Sequence, residues 1–321
     1  MKEASHRYRL YDRLVVSERP TGLAPAGAEG PAGDPWRLSW REGEGPTEEG
    51  LLKEGARVIH DAADLIGDKR LKVLERRGRL IFFYGQIRLV WDEARREAVI
   101  HRWEEGALPV SDFLERLAAP IAALCDADRW WLALHASAVV DRRGRAWVLI
   151  GESGAGKSTA ALELSRRGMA LAADDLVLID VESGALYGAS PTVRLVDREQ
   201  EVPEADEARP VPSGIDKRWY RLGLEPAPPT SELAALVWLD PRGEEEGVDI
   251  RPLAGQAGVS AVLAQAFGLD PGPAGHKVRR FRGVCELGRV IDLYRLRYAQ
   301  SDRRSPAQVE ALEGLMEEGR P

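Results

Sequence analysis

The sequence predicts an α/β core behind a β-rich N-terminal region. Three observations lead there. A glycine-rich loop lies between a hydrophobic strand-like run and a helix-forming run. Short alternating stretches separated by turn residues fill the first hundred positions, and buried-strand patterns recur with helical ones after residue 109. The division is placed at 108/109, with the β-rich region over 1–108 and the core over 109–321.

The N-terminal elements follow in order. "HRYRLYDRLVVSE", from His6 to Glu18, mixes apolar and basic residues in a strand-like rhythm, and the Pro-, Gly- and Ala-rich Pro20–Asp34 stretch reads as a loop. "WRLSW" reads as a strand. "LKVLERRGRLIFFYGQIRLVWDEARREAVIHRW" reads as a meander broken by turns at Arg77-Gly78, Tyr84-Gly85 and Asp92-Glu93. After Pro109, Ser111 or Asp112 caps a helix on which Phe113, Leu114, Leu117 and Ile121 recur at helical spacing, and Pro120 kinks or splits it.

In the core, "WLALHASAVVD", a "RRG" turn and "AWVLIG" read as two buried strands of a hairpin. The glycine loop comes next, then a helix closing at Gly168. The short strand "MALAA" is expected to lie parallel beside the strand that ends at Gly151. A Ser183-Gly184 turn, a strand around "TVRLV" and a mobile acidic loop from Asp197 to Pro212 follow. "LAALVWLD" is a buried strand with a turn at Pro241-Arg242-Gly243 after it. "VDIRPL", a helix "AGVSAVLAQAFG", a strand "GRVIDLYRLRYA" and a short fraying helix from Ser305 complete the chain.

Composition narrows the classes of function. A net charge of −7 offers no overall basic field, so neither nucleic acid nor an acidic membrane surface is an expected partner. No apolar run reaches the ~18 residues that span a bilayer, and "MKEASHRYRLYDRL" lacks the apolar centre of a signal peptide. Cys125 and Cys285 stand far apart in no ligand-like spacing, which points to reduced thiols and a cytoplasmic protein. The oligomeric state is left open. Seven of the 45 basic residues are lysine, so each lysine is notable.

One of them stands in Gly151-Glu152-Ser153-Gly154-Ala155-Gly156-Lys157-Ser158, which fits G-x-x-x-x-G-K-[ST] in full, with strand before and helix after. This is the pattern of a phosphate-binding loop (P-loop). Glycines let successive N–H groups turn inward on phosphates, and the helix adds its positive end. Lys157 is placed to reach the β- and γ-phosphates and Ser158 to coordinate Mg²⁺, with Thr159 the last of the nucleotide-site candidates. ATP and Mg²⁺ are the cofactors expected.

Asp174 and Asp175 follow the next strand, at the end that returns toward the loop. Adjacent strand residues point to opposite faces, so both carboxylates meet a nucleotide only where the chain bends. One is then available to accept a proton from an incoming hydroxyl while the other holds Mg²⁺, Asp175 standing with Ser158 as a metal candidate. Asp240, ending "LVWLD", is the competing metal ligand.

The run "LHASAVVDRRGRAWVLIGESGAGKSTAALELSRRGMALAADDLVLID" resembles the catalytic core of HPr kinase/phosphorylase. The likeness lies in a histidine at a strand start, the G-x-S-G-x-G-K-S loop, "ALEL…RG" on the helix, and "ADD". The chain is similar, more closely still, to the HPr-kinase-like proteins of peptide-modification clusters such as those of lasso peptides, through Tyr8-Arg9-Leu10-Tyr11…Ser17, "HASAV" and Arg194-Leu195. The resemblance implies a P-loop kinase core of the HPr kinase / phosphoenolpyruvate carboxykinase type. It implies that Lys157 and Ser158 serve ATP and Mg²⁺, that the Asp174-Asp175 pair supplies the catalytic base without saying which, and that His135 is an active-site neighbour. The family's E-x-R-G-x-G element is missing, and Ala136 stands where it usually has glycine. These departures bear on the HPr substrate and the reverse, phosphorolytic reaction; the forward kinase step depends mainly on parts that remain.

The expected function is therefore transfer of a γ-phosphate to a hydroxyl, foremost a serine of a peptide or small-protein acceptor. A kinase of a small hydroxyl compound such as free serine, and a nucleotide-gated binding protein without transfer, stay open. Lys217-Arg218 is either a mobile phosphate-reaching pair or a solvated loop end. "HKVRRFRG" from His276 is either a docking site for an acidic peptide or phosphate, or a solvated face. Trp36/Trp40 and Trp130-Trp131 read as packing.

Overall fold

The computed structural model describes residues 6–26, 34–63, 70–103, 109–189, 191–196, 202–203, 205–210, 217–224, 227–243, 247–299 and 306–318. They fall into two compact units. One comprises the chain up to Ala127 with Gly268–Lys277; the other comprises Asp128–Pro210, Asp216–Phe267 and the chain from Val278 on.

The first unit contains β1 (His6–Leu10), β2 (Arg13–Ser17), β3 (Ala24–Pro25), β4 (Trp36–Trp40), α1 (Glu48–Lys53) and β5 (Arg57–Ala63). These are followed by β6 (Arg70–Arg76), β7 (Arg79–Tyr84), β8 (Ile87–Asp92), β9 (Glu97–Arg102), α2 (Val110–Phe113) and α3 (Ala119–Cys125). Its strands make one sheet in the order β3-β1-β2-β4-β9-β8-β7-β6-β5. The expected meander is present as β6 to β9. Arg77 and Gly78, both at positive φ (53° and 76°), form the two-residue turn that suits the twist of a hairpin.

The helical segment after Pro109 departs from expectation at its N-cap. Pro109 itself is the N-cap, and Ser111 and Asp112 lie inside the first turn, buried. Pro120 stands in the first turn of α3, and a π-helical turn over Leu114–Ala118 joins α2 to α3 ahead of it. A wider turn accommodates a ring that cannot donate to the preceding turn. Phe113 packs against Phe82, Tyr84 and Trp103 with ring centroids 5.7 to 6.1 Å apart. That aromatic cluster draws the segment into the first unit, so the compact units divide after Ala127 where the sequence places the division at 108/109.

The second unit begins with β10 (Trp131–Leu134), β11 (Ser137–Val140), β12 (Arg145–Ile150), α4 (Lys157–Arg166), β13 (Ala170–Ala173), β14 (Val177–Asp180), β15 (Ala185–Tyr187) and β16 (Thr192–Val196). It continues with β17 (Ala205–Pro210), β18 (Lys217–Leu222), β19 (Thr230–Gly243), β20 (Val248–Pro252), α5 (Gly255–Gln265), α6 (His276–Val290, from Val278 on), β21 (Asp292–Ala299) and α7 (Pro306–Glu318). The main sheet runs β10-β14-β15-β19-β12-β11-β13, with β21 on β19 and β20 on β21; β16, β18 and β17 form a small separate sheet.

This sheet cannot be flat. β10 and β11 stand five strand spacings apart in that order, about 24 Å if flat, yet His135 and Ala136 alone join them. β13 and β14 are likewise five spacings apart and joined only by Asp174, Asp175 and Leu176. Links that short reach at most about 15 Å, so the β10-β14-β15 branch must fold back over the rest. β19 lets it do so by pairing with β15 over Thr230–Glu232 and with β21 from Ala235 onward. The fold-back encloses a core of Leu132, Leu134, Val148, Ile150, Ile179 and Leu236, while alternate residues Trp147, Leu149, Val237 and Leu239 face α4 and α7 on the other side.

Several expected elements change accordingly. "WLALHASAVVD" is two strands: only β11 forms the hairpin with β12, and β10 pairs with β14. "MALAA" is a strand, but β11 lies between it and β12; it points the same way without touching. Within the expected acidic loop Asp197–Pro212, Ala205–Pro210 is the paired strand β17, while 197–201, 204 and 211–212 lie outside the described residues. Pro241-Arg242-Gly243 is not a turn. β19 runs through it with a shifted register beside Asp240, the kind of irregularity that admits a proline. "GRV" ends α6 and does not begin β21. The C-terminal helix α7 is packed, burying Val309, Leu312, Leu315 and Met316.

Candidate active site

The two short links that make the sheet fold back carry the residues singled out from sequence. In β11, Ser137 pairs with Leu149 of β12 and Ala138 with Ala173 of β13, so the start of β11 lies beside the carboxyl ends of both neighbours. Those ends lead into the Gly151 loop and into Asp174-Asp175. Leu134 pairs with Val177, which sets the His135 link beside the Asp174 link. His135 N–H donates to the carbonyl of Gln265 at the end of α5 (2.8 Å). The openings at the carboxyl ends of sheet strands are where α/β folds bind ligands.

The glycine loop has the backbone its residue types allow. Gly154 and Gly156 sit at φ 82° and 88°, where only glycine is at ease. Gly151 is held closer still: a Cβ there would meet the Leu239 carbonyl oxygen at 2.8 Å. Glu152, Ser153 and Gly154 are exposed at the crest, and Ser158 and Thr159 are half-buried on the first turn of α4. Gly156 caps that helix without any side-chain hydrogen bond. Buried Lys157 curls back, Nζ donating to the carbonyls of Gly151 (2.8 Å) and Glu152 (3.2 Å). Buried Tyr298 donates its hydroxyl proton to the Ala155 carbonyl and ties the loop to β21.

The aspartates stand at a corner. Asp175 adopts φ 69°, so the chain bends there as two same-side carboxylates require. Asp174 is 4% exposed and accepts from Ser137 Oγ at Oδ1 (2.5 Å) and from the Arg194 N–H at Oδ2 (2.9 Å). Asp175 is less buried and pairs through Oδ2 with the Arg194 guanidinium at 2.9 Å. One arginine of β16 thus grips both carboxylates.

The competing ligand, Asp240, lies at the same end of the sheet, two residues past Trp238, which pairs with Ile150. It is 0% exposed, and both Nε (2.8 Å) and a terminal nitrogen of Arg295 donate to its Oδ2. Its charge is thereby balanced inside the protein. Lys217 and Arg218 open β18, the middle strand of the small sheet, paired on one side with Val196 and Leu195. "HKVRRFRG" forms the first half of α6. Among the described residues no cluster of three or more His, Cys, Asp or Glu is placed to hold a metal ion. No described helix is long and apolar enough to cross a membrane.

Ser137 falls within "HASAV" and Arg194 within the "RL" strand, and neither pattern by itself assigns a role. The apolar run around them gives no sign that His135 lies in the link before β11 while Ser137 opens it. Nothing local marks Arg194, which reaches the site through a separate sheet.

Comparison with known proteins supplies a local match. A stretch of 57 residues is 46% identical to HPr kinase/phosphorylase of Clostridium botulinum (strain Eklund 17B / Type B), covering 18% of this chain and 19% of that protein. HPr kinase/phosphorylase of Clostridium tetani is 51% identical over 55 residues, 17% of this chain and 18% of the relative. That of Lachnoclostridium phytofermentans is 44% identical over 63 residues, 19% and 20% respectively. The chain spans about a fifth of the length of the curated relatives it matches. No family model matches it.

Proposed function

We propose that this chain is an ATP- and Mg²⁺-dependent kinase that transfers the γ-phosphate to a hydroxyl, foremost a serine of a peptide or small-protein acceptor. The observation that supports it best is the pairing of a glycine loop with two carboxylates held at the same end of the sheet by Ser137 and Arg194. The second, separately braced carboxylate argues for transfer over nucleotide binding alone.

The residues fit the groups they would hold. The first N–H groups of α4 lack a side-chain cap and suit an anion. On nucleotide binding, Lys157 exchanges the Gly151 and Glu152 carbonyls for phosphate oxygens. Mg²⁺ keeps several waters and takes one or two protein oxygens beside phosphate, so Ser158 can serve as its protein ligand without a dedicated cage, which leaves Asp175 for the acceptor. When bound, the ion neutralises charge on the transferring phosphoryl group. Asp174, with both oxygens engaged, braces the corner. Asp175, the more accessible carboxylate, meets the acceptor hydroxyl and takes its proton.

The test is transfer of labelled γ-phosphate from ATP to serine-containing peptides, free serine and water. It uses the wild type and the Asp174→Asn, Asp175→Asn and Asp240→Asn variants. Labelled peptide that disappears with Asp175→Asn while ATP still binds supports the reading. Label on free serine alone makes the acceptor a small molecule. ATP binding without transfer to any hydroxyl sinks it.

A further inference from the structure

Large apolar side chains are rarely left in water without a reason when they gather on one element. Among the described residues the exposed ones are Leu52, Val278, Phe281 and Val290, and three of these four are on α6. Val278 is 55% and Phe281 50% exposed. They sit one turn apart on one face of the helix, with exposed Arg282 beside them. The rest of the helix is packed: Val284 and Leu287 are buried toward the core, and Gly283 lies so close to Trp130 that a Cβ would lie 3.0 Å from its indole nitrogen. Trp130 Nε1 donates to the Arg279 carbonyl (3.1 Å), and the Arg279 guanidinium donates to the Arg129 carbonyl. The helix is therefore a fixed part of this unit, and its outer face has a defined direction.

That face runs into a cavity. Gly288, seven residues beyond Phe281 and so on the same side two turns later, lines a pocket of about 210 Å³ together with Leu253, Val259, Val262, Val284 and Leu287. Arg289 and Asp292 stand among its lining residues. The pocket adjoins the amino-terminal end of β21, whereas the candidate active site is at the carboxyl ends of the parallel strands. Charge adds a sign to the shape. Val278–Gly283 holds three arginines and no acid, in a chain whose net charge is −7.

We propose that this face of α6, with the adjoining pocket, docks an acidic polypeptide segment that places one apolar side chain in the cavity. The arginines attract and orient the segment, and the pocket supplies the anchor that concentrates binding in a few side chains. A membrane is the poorer occupant, because an interfacial helix needs its whole apolar face for lipid and α6 has spent that face on the core. The net negative charge also opposes an anionic bilayer. This surface goes beyond the kinase reading and does not depend on it.

Binding is measured by fluorescence anisotropy, without nucleotide, on the full chain. The probes are short labelled peptides rich in Glu with a single Leu or Phe, their Glu→Gln counterparts, and versions with the apolar residue changed to Ala. Gly288→Leu places an apolar side chain at the pocket: a Cβ there would meet only Val259 Cγ2, at 3.9 Å, and leucine suits a helix better than glycine. Arg282→Glu reverses charge on the exposed face. The expected result is binding that needs both the acids and the apolar residue, weakens with salt, and drops about tenfold or more with either variant. Circular dichroism confirms that both variants are folded. Equal binding of acidic and neutral peptides, no binding by any, or indifference to both variants overturns the proposal. Self-association in sedimentation velocity that Arg282→Glu abolishes gives the face to a second copy of this chain. Binding to phosphatidylserine vesicles but not to peptides gives it to a membrane. Either result overturns the proposal.

Discussion

Arg194 and Asp175 form an ion pair of 2.9 Å between two sheets of one unit, and the same arginine's backbone N–H holds Asp174. Two adjacent carboxylates repel each other and would splay toward water if left alone. The nearly buried Arg194 keeps both at the corner where β13 turns into β14, its guanidinium on Asp175 and its backbone N–H on Asp174.

Replacing Arg194 by Met is expected to lower kcat about 100-fold, the weight of a well-placed base, with nucleotide affinity unchanged. It also leaves the Asp175 carboxylate short of its cation, while the backbone N–H bond to Asp174 remains, at a cost of about 3 kcal/mol in unfolding free energy. Arg194→Lys keeps the charge and is expected to recover part of the stability but less of the rate, because one ammonium cannot reproduce the guanidinium geometry. Steady-state kinetics beside urea unfolding separates the two effects. Wild-type kcat in Arg194→Met contradicts the bracing role.

Asp240 and Arg295 make a second such pair, with Asp240 wholly removed from solvent. Arg295→Leu alone strands a buried charge and is expected to cost about 3 kcal/mol. Asp240→Leu with Arg295→Leu is expected to cost less than that single change, because the double variant strands nothing. A double-mutant cycle by chemical denaturation reads the coupling directly.

Acid sensitivity is expected in the β11–β12 hairpin. Burial by itself pushes the Asp141 carboxyl up, but donors outweigh it: the N–H groups of Arg145 and Arg143, the Trp147 indole and the Arg145 guanidinium. The folded pKa thus lies below the ordinary value of 3.8. A lowered carboxylate pKa stabilises the fold above the unfolded value, and that contribution disappears as pH falls through the folded one. The stability gap between wild type and Asp141→Asn is therefore expected to be widest near neutrality and to shrink below about pH 4. Urea midpoints measured between pH 7 and pH 3 decide it. A gap that grows on acidification contradicts the assignment.

The thiol of Cys125 is expected to be slow toward iodoacetamide at pH 8, since burial pushes its pKa up to about 12 and the thiolate is the reactive form. Alkylation of the native chain followed by peptide mass mapping reads the rate, and unfolding in urea is expected to abolish the protection. Rapid native labelling at Cys125 would show the site to be open.

What could be read in advance was local. At Arg77-Gly78 a two-residue turn between alternating strands is written in neighbouring residues, and the same is true of Gly168 at the end of α4 and of Gly151–Ser158. Each of these depends on backbone conformations a few residues wide. Asp174-Asp175 was legible as a pair, and so was the need for a bend, which Asp175 supplies at φ 69°. The breaks were harder. "WLALHASAVVD" has the apolar content of one strand, and only the pairing of β10 with β14 shows that the chain divides at His135.

Residue types along the chain by themselves determined the β-rich first hundred residues, the glycine loop between strand and helix, and the aspartates that follow it. Tertiary structure alone decided which strands are neighbours, that the sheet folds back through its two shortest links, and that Arg194 and Ser137 brace the aspartates while Arg295 neutralises Asp240. The reason is physical. Turns, caps and periodicity are set by interactions a few residues apart. Strand order and charge pairing are set by which distant surfaces bury one another, and that choice is made by the whole chain at once.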